Sequence, residues 1–182
     1  MLRVGVIGPE STGKSTLCRQ LSEQHGYLWI KEYAREYVEA LDRPYTRDDL
    51  DAIARHLIEQ VSTCYSEPVV LFDTELIIMK VWYVHKYGSS PDAVLRALRD
   101  YPMDMYLILT PDICAEPDPV RENLDKREYF LNWYLEEVKL THRPYVLVSG
   151  QGSARTQAAV QAIESFRHNC ANRPADDSHQ NK

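Results

Sequence analysis

The sequence predicts an α/β protein in which a mostly parallel five-stranded sheet is flanked by helices. Three observations predict it. Short apolar runs alternate with longer segments of helical apolar spacing, the order produced when each strand is followed by a crossover helix. The apolar runs are continuous rather than alternating, as in strands covered on both faces. The first of them leads through a glycine-rich turn directly into a helical pattern.

The expected strands are Leu2 to Ile7, a weaker Tyr27 to Ile30, Pro68 to Asp73, Met105 to Leu109, and Tyr145 to Val148. Between them the clearest helix runs from about Asp48 to Tyr65. It spaces Leu50, Ile53, Ala54, Leu57, Ile58, Val61 and Cys64 along one face. Thr46 followed by Asp49 offers it a weak variant of the capping box. A second helix runs from about Glu75 to Tyr87 and is stopped by Gly88. A third, Asp125 to Thr141, carries Phe130, Trp133, Tyr134 and Val138 on one stripe, and the last carries Ala159, Ala162, Ile163 and Phe166. Residues 171–182 are almost free of aliphatic side chains and are expected to form a disordered tail, leaving residues 1–170 as a single domain.

Composition narrows the function. At 182 residues, with 44% hydrophobic and 26% charged, the chain has the balance of a soluble globular protein. A net charge of −6 argues against a nucleic-acid backbone as its main partner. The four cysteines, Cys18, Cys64, Cys114 and Cys170, form neither a CxxC nor a Cys/His cluster, so no zinc site or disulfide framework is expected. The start, MLRVGVIG, lacks the features of a signal peptide, and no apolar run approaches the ~20 residues of a membrane span. The expectation is a cytoplasmic protein with no membrane partner; a homo-oligomer is compatible with it.

The strongest signal is Gly8-Pro9-Glu10-Ser11-Thr12-Gly13-Lys14-Ser15-Thr16. It fits G-x-x-x-x-G-K-[ST] and lies between an expected strand and an expected helix, the context that confirms such a match. Glycines let the backbone approach a phosphate closely, and the amides of the turn and helix start point at it. Lys14 brings a mobile charge to the β and γ oxygens of ATP, and the Ser15 hydroxyl is placed to coordinate Mg²⁺. Asp73 closes the third strand, where a Mg²⁺-water ligand or a catalytic base belongs in such a site; the alternative is a helix N-cap.

A phosphate loop by itself says only nucleotide binding. No N-K-x-D segment is present, which weakens a GTPase reading. After the second strand comes Glu32-Tyr33-Ala34-Arg35-Glu36-Tyr37. If helical, it puts Glu32, Arg35 and Glu36 on one face, where a carboxylate can accept a hydroxyl proton; the alternative is a solvated face of ion pairs. Residues 111–127 hold three prolines with Arg121 and Arg127, an irregular segment suited to a closing lid whose guanidinium groups reach the transferred phosphoryl group. Trp82, Tyr83 and Tyr87 offer rings for stacking on a flat, cationic acceptor, or else pack in the core.

The order GPESTGKST, EYAREY, FDTELIIMKVWYVHKYG and the acidic-proline segment resembles the NadR-type ribosylnicotinamide kinase domain family, a P-loop small-molecule kinase within the AAA-like ATPase domain families. The resemblance covers about residues 3–166. It implies a P-loop kinase fold that transfers the γ-phosphate of ATP, with Mg²⁺, to the 5′-hydroxyl of nicotinamide riboside. By position it implies ATP on Gly8 to Thr16 and Asp73 at the metal and acceptor hydroxyl. Glu32 and Arg35 would line the riboside pocket, with Tyr33, Trp82, Tyr83 and Tyr87 as further pocket candidates; Arg121 and Arg127 would belong to the lid. The sequence shows no upstream adenylyltransferase or helix-turn-helix segment, so a second step of NAD synthesis is expected elsewhere. Catalysis is expected from Lys14, Asp73, Glu32, Arg121 and Arg127, with Asp73 and Glu32 both open as base. A kinase for another nucleoside and a slow NTP-hydrolysing switch are the competing readings.

Overall fold

The computed structural model describes residues 1–115 and 123–172. Its centre is a five-stranded sheet of β1 (Leu2–Ile7), β2 (Leu28–Ile30), β3 (Val69–Asp73), β4 (Met105–Leu109) and β5 (Tyr145–Val148), in the order β2-β3-β1-β4-β5. Every pairing is parallel, with Val6 opposite Asp73 on one side and Leu107 on the other. The helices are α1 (Lys14–His25), α2 (Tyr33–Glu39), α3 (Arg47–Ser62), α4 (Leu76–Tyr87), α5 (Asp92–Asp100), α6 (Arg127–Leu140, preceded by a 3-10 turn at Leu124–Lys126) and α7 (Gly152–Ala171).

Alternate strand residues face opposite ways, and this divides the core in two. Val4, Val6, Leu71, Leu107 and Leu109 pack with Leu17 and Leu21 of α1 and with Ala159 and Ile163 of α7. Ile7, Val70, Phe72, Tyr106 and Ile108 pack with α3 to α6 through Leu50, Ile53, Leu57, Ile77, Tyr83, Val94, Phe130 and Val138. The sheet is thus covered on both faces, and the carboxyl ends of β1 and β3 open together on one rim, where parallel α/β sheets bind ligands.

The expected strands are all present, each within one residue of its expected start. The helices differ at their ends. The one expected from Asp48 to Tyr65 spans Arg47–Ser62, because Asp49 accepts from the Thr46 backbone N–H (2.7 Å) and hydroxyl (2.8 Å) and fixes its start. The last helix runs through Ala171, one residue beyond the expected domain end; residues 173–182 of the expected tail lie outside the described residues. Two features depart from expectation. α5 has no counterpart among the expected helices: it is amphipathic but only nine residues long, and it buries only Val94 and Ala97. β5 is not covered on both faces: Tyr145, Val146 and Leu147 are exposed because the strand forms the sheet edge.

Candidate active site

The phosphate loop joins β1 to α1 and is shaped by its glycines. Gly8 has φ +152°, and a Cβ there would come within 2.7 Å of the Leu109 carbonyl oxygen, so β4 leaves no room for a side chain. Gly13 caps α1 in the left-handed conformation. The Thr12 hydroxyl donates to the Pro9 carbonyl (2.8 Å) and braces the turn from within. Lys14 Nζ donates to the carbonyls of Gly8 (3.0 Å) and Pro9 (3.1 Å), lying across the loop's mouth. The first turn of α1 holds no acidic residue, so its positive end is uncompensated toward an anion.

Behind the loop stands Arg155 of α7, which is buried. It donates from Nη1 to the Thr12 carbonyl and from Nη2 to the Thr110 carbonyl (2.8 Å), and lies 3.6 Å from Asp112 Oδ2. One guanidinium therefore ties the phosphate loop to the end of β4. Nothing in the local sequence distinguishes it from a surface arginine.

Asp73 ends β3 beneath the loop, 1% exposed. Burial, and then the charge of Glu32, push its carboxyl up to about 6; the Ser15 hydroxyl, Lys14 and the Trp29 N–H pull the other way. Trp29 Nε1 donates to Oδ2 (3.3 Å), while Oδ1 is buried with no hydrogen-bond partner among the described residues. Thr74 follows with φ +68°, a strained conformation for a β-branched residue that costs on the order of 1–3 kcal/mol. Glu75, not Asp73, is the N-cap of α4: its Oε1 accepts from the Ile77 N–H (2.8 Å).

That donor set fits Mg²⁺. A buried, unsatisfied carboxylate oxygen near the Ser15 hydroxyl and Glu32 offers hard oxygen ligands, and Mg²⁺ typically takes one or two such groups plus phosphates and water. No group of three or more His, Cys, Asp or Glu side chains is arranged to cage a metal among the described residues.

A cleft of about 440 Å³ extends from the loop across the sheet rim, within the range of small-molecule sites. Gly8, Glu10 to Thr16, Glu32 and Arg35 line it, so most of the expected site converges there. The rest of its lining is largely apolar and aromatic, including Tyr45, Leu57, Ile78, Met79, Trp82, Phe130 and Tyr134. Trp82 Nε1 donates to the Tyr45 hydroxyl (2.8 Å), and the two rings meet edge to face. Tyr45 is carried by the turn before α3, anchored where Asp49 accepts from Arg43, Thr46 and Tyr37.

Several expected residues lie elsewhere. Pro9 supports the loop through its carbonyl rather than lining the cleft. Asp73 lies just under the cleft floor, with Ser15 and Thr74 above it in the lining. Tyr83 is a correction: it is 0% exposed in the core and its hydroxyl donates to Asp51, since a helical step of about 100° turns it away from Trp82's face. Tyr87 is on the surface under the Arg47 guanidinium, and Tyr33 stacks on His56 at 3.7 Å; neither lines the cleft. Arg35 lines the cleft and pairs with Glu39 at 2.7 Å, an ion pair of the kind its solvated-face alternative foresaw. Arg127 does not reach the loop: it donates to the Ile113 carbonyl (2.7 Å), joining the two stems of the expected lid. Arg121 lies outside the described residues. Glu10 makes an unforeseen tie, accepting from the Asn123 N–H (3.0 Å).

Residues missed in the sequence are Trp29, Tyr45, Asn123 and Arg155. Phe130 and Tyr134 were visible as an i,i+4 stripe, but a stripe reads the same whether it faces a core or a cleft.

The family described as an AAA domain matches residues 3–155. The chain belongs to this family. The chain is 26% identical over 155 residues to the trifunctional NAD biosynthesis/regulator protein NadR of Salmonella typhimurium, covering 80% of this chain and 37% of that protein. A crystal structure of NadR in complex with NR superposes over 90% of this chain and 50% of its own, with TM-score 0.72 and 22% identity. The NadR complex with NAD and AMP-PNP gives 0.68 and 26% over 90% of this chain and 48% of that one. The deoxyadenosine kinase of M. mycoides shares the fold, with TM-score 0.62 and 14% identity over 90% of this chain and 100% of its own. The chain spans half or less of the NadR proteins it matches. With the phosphate loop, these likenesses give this member of the AAA-domain family a NadR-like P-loop fold.

Proposed function

We propose that this domain, residues 1–170, is an ATP-dependent kinase acting on the 5′-hydroxyl of nicotinamide riboside, in the cytoplasm and without nucleic-acid or membrane partners. The observation that carries the reading is one cleft lined by the phosphate loop, by Glu32 and by the aromatic side chains of Tyr45, Trp82, Phe130 and Tyr134. Such a lining offers groups for a triphosphate tail and for a flat acceptor ring together. The ring of nicotinamide riboside is cationic. It gains from the ring of Trp82 and from the negative charges of Glu10 and Glu32, which, after burial, also push the Tyr134 phenol up. The likeness to NadR, solved with NR and with AMP-PNP, supports the same choice. Among the described residues no helix is long and apolar enough to cross a membrane.

The chain's own groups divide the work. Loop amides and Lys14 grip the β and γ phosphates, Lys14 releasing its two loop carbonyls to do so. Ser15 and Asp73 would hold Mg²⁺, which supplies charge neutralisation on the β and γ oxygens. Glu32 or Asp73 orients the acceptor hydroxyl in line with the γ-phosphate and takes up its single proton. Phosphoryl transfer is mainly positioning and electrostatics, so preorganised contacts carry the rate.

The test is ADP release with ATP, Mg²⁺ and a panel of ribosides. Stimulation by nicotinamide riboside is expected. Stimulation by another nucleoside alone moves the acceptor assignment, and stimulation by none supports a hydrolytic switch. Lys14→Ala is expected to remove the stimulated activity while the circular dichroism spectrum is retained.

A further inference from the structure

Thr74 carries three features that the reading above leaves unused. Its backbone sits at φ +68°, where a β-branched side chain is held only by its surroundings. Its amide donates to the Val6 carbonyl (3.2 Å), which pins the turn to β1 at the head of the phosphate loop. Its side chain lines the cleft, yet its hydroxyl is buried without a hydrogen-bond partner among the described residues.

A structural role does not account for that hydroxyl. The N-cap of α4 is already supplied by Glu75. A buried hydroxyl with no partner is a net loss relative to valine, which has the same shape. Immediately before it, Asp73 Oδ1 is also buried and unpartnered. Consecutive residues of a strand point to opposite faces; the left-handed turn at Thr74 ends β3 and swings its side chain to the cleft wall instead. Two unsatisfied polar atoms on adjacent residues, one a pure acceptor and one able to donate or accept, match the needs of one bridging oxygen.

We propose that Thr74 is a positioning residue whose hydroxyl, together with Asp73 Oδ1, holds a single oxygen ligand at the cleft floor. This rests on the kinase reading, and the oxygen is either the acceptor's reactive hydroxyl or a water of the metal shell. The strained backbone at Thr74 is then retained because it delivers that hydroxyl.

Thr74→Val and Thr74→Ser in the full chain test it. Thr74→Val is expected to melt at or above the unsubstituted protein's temperature, since it removes only an unsatisfied group, and to lower kcat about tenfold or more. Thr74→Ser is expected to recover most of the rate. If the ligand is the acceptor hydroxyl, the Mg²⁺ dependence of ATP binding, read by calorimetry, is unchanged in Thr74→Val. If it is a metal-shell water, half-saturation by Mg²⁺ rises several-fold. Wild-type turnover with unchanged Mg²⁺ dependence overturns the proposal. So does a lower melting temperature in Thr74→Val that Thr74→Ser restores, because the hydroxyl is then structural. If the unsubstituted protein phosphorylates no riboside, the kinase reading falls; the calorimetric arm then decides Thr74, and unchanged Mg²⁺ dependence overturns it as well.

Discussion

Asp73 sits where burial and the Glu32 charge both oppose ionisation, and only Ser15, Lys14 and Trp29 favour it. Its carboxyl is therefore poised at about 6, close to the working range of a proton acceptor. Because the Trp29 N–H stabilises the charged form, Trp29→Phe is expected to move that titration upward; ¹³C NMR of the nucleotide-free protein measures it. An unmoved titration would mean that the indole contact does nothing. Asp73→Asn is expected to cost on the order of 10²–10³ in kcat with the melting temperature preserved, since the substitution removes a buried charge without changing shape. Unchanged turnover in that folded variant would remove Asp73 from the mechanism.

At the scale of elements, the site depends on four pieces meeting: the phosphate loop, the end of β3, the α2–α3 turn and the stems of the 111–127 segment. Arg155 is the strut between the first of them and the end of β4, and its substitution separates loop geometry from chemistry. Arg155→Met leaves the Thr12 and Thr110 carbonyls short of a donor. The expected cost is about 2–3 kcal/mol, or a melting temperature lower by about 5–10 °C, with weaker ATP binding by calorimetry. Stability lost with ATP affinity intact would show that α7 does not hold the loop. Glu10 on Asn123 ties one stem of the 111–127 segment to the loop, and Arg127 on Ile113 joins the two stems. Arg127 thus acts on the described stems rather than on a phosphate.

For the whole molecule, the buried acid Glu75 sets a dependence of stability on pH. Burial pushes its carboxyl up to about 8 from an ordinary 4.5, against the opposing pull of the Ile77 and Leu76 amides and of Arg3. A folded-state value above the unfolded one means that the native protein binds the proton more tightly between those limits. Stability therefore falls as pH rises from about 4.5 to about 8. Glu75→Gln keeps an oxygen for the Ile77 N–H and carries no charge. It is expected to stabilise the protein by about 1–3 kcal/mol at pH 8 and to flatten the decline, which urea denaturation across that range measures. An equal slope in both proteins would place the burden on another group.

Local chemistry wrote most of the frame into the sequence: five apolar strand runs, the glycine turn, the long amphipathic helices and the acid at the end of β3. Such features are short-range, because a strand, a turn or a helix face is fixed by residues a few positions apart. What could not be read locally is whatever depends on neighbours distant in the chain. Trp29 meets Asp73 across 44 positions, Arg155 meets Thr12 across 143, and Trp82 meets Tyr45 across 37. The same limit explains Tyr83, whose helix shows an aromatic stripe without saying which turn of it faces the core. β5 is exposed because the sheet ends there, and only the order in which parallel strands pair decides where a sheet ends.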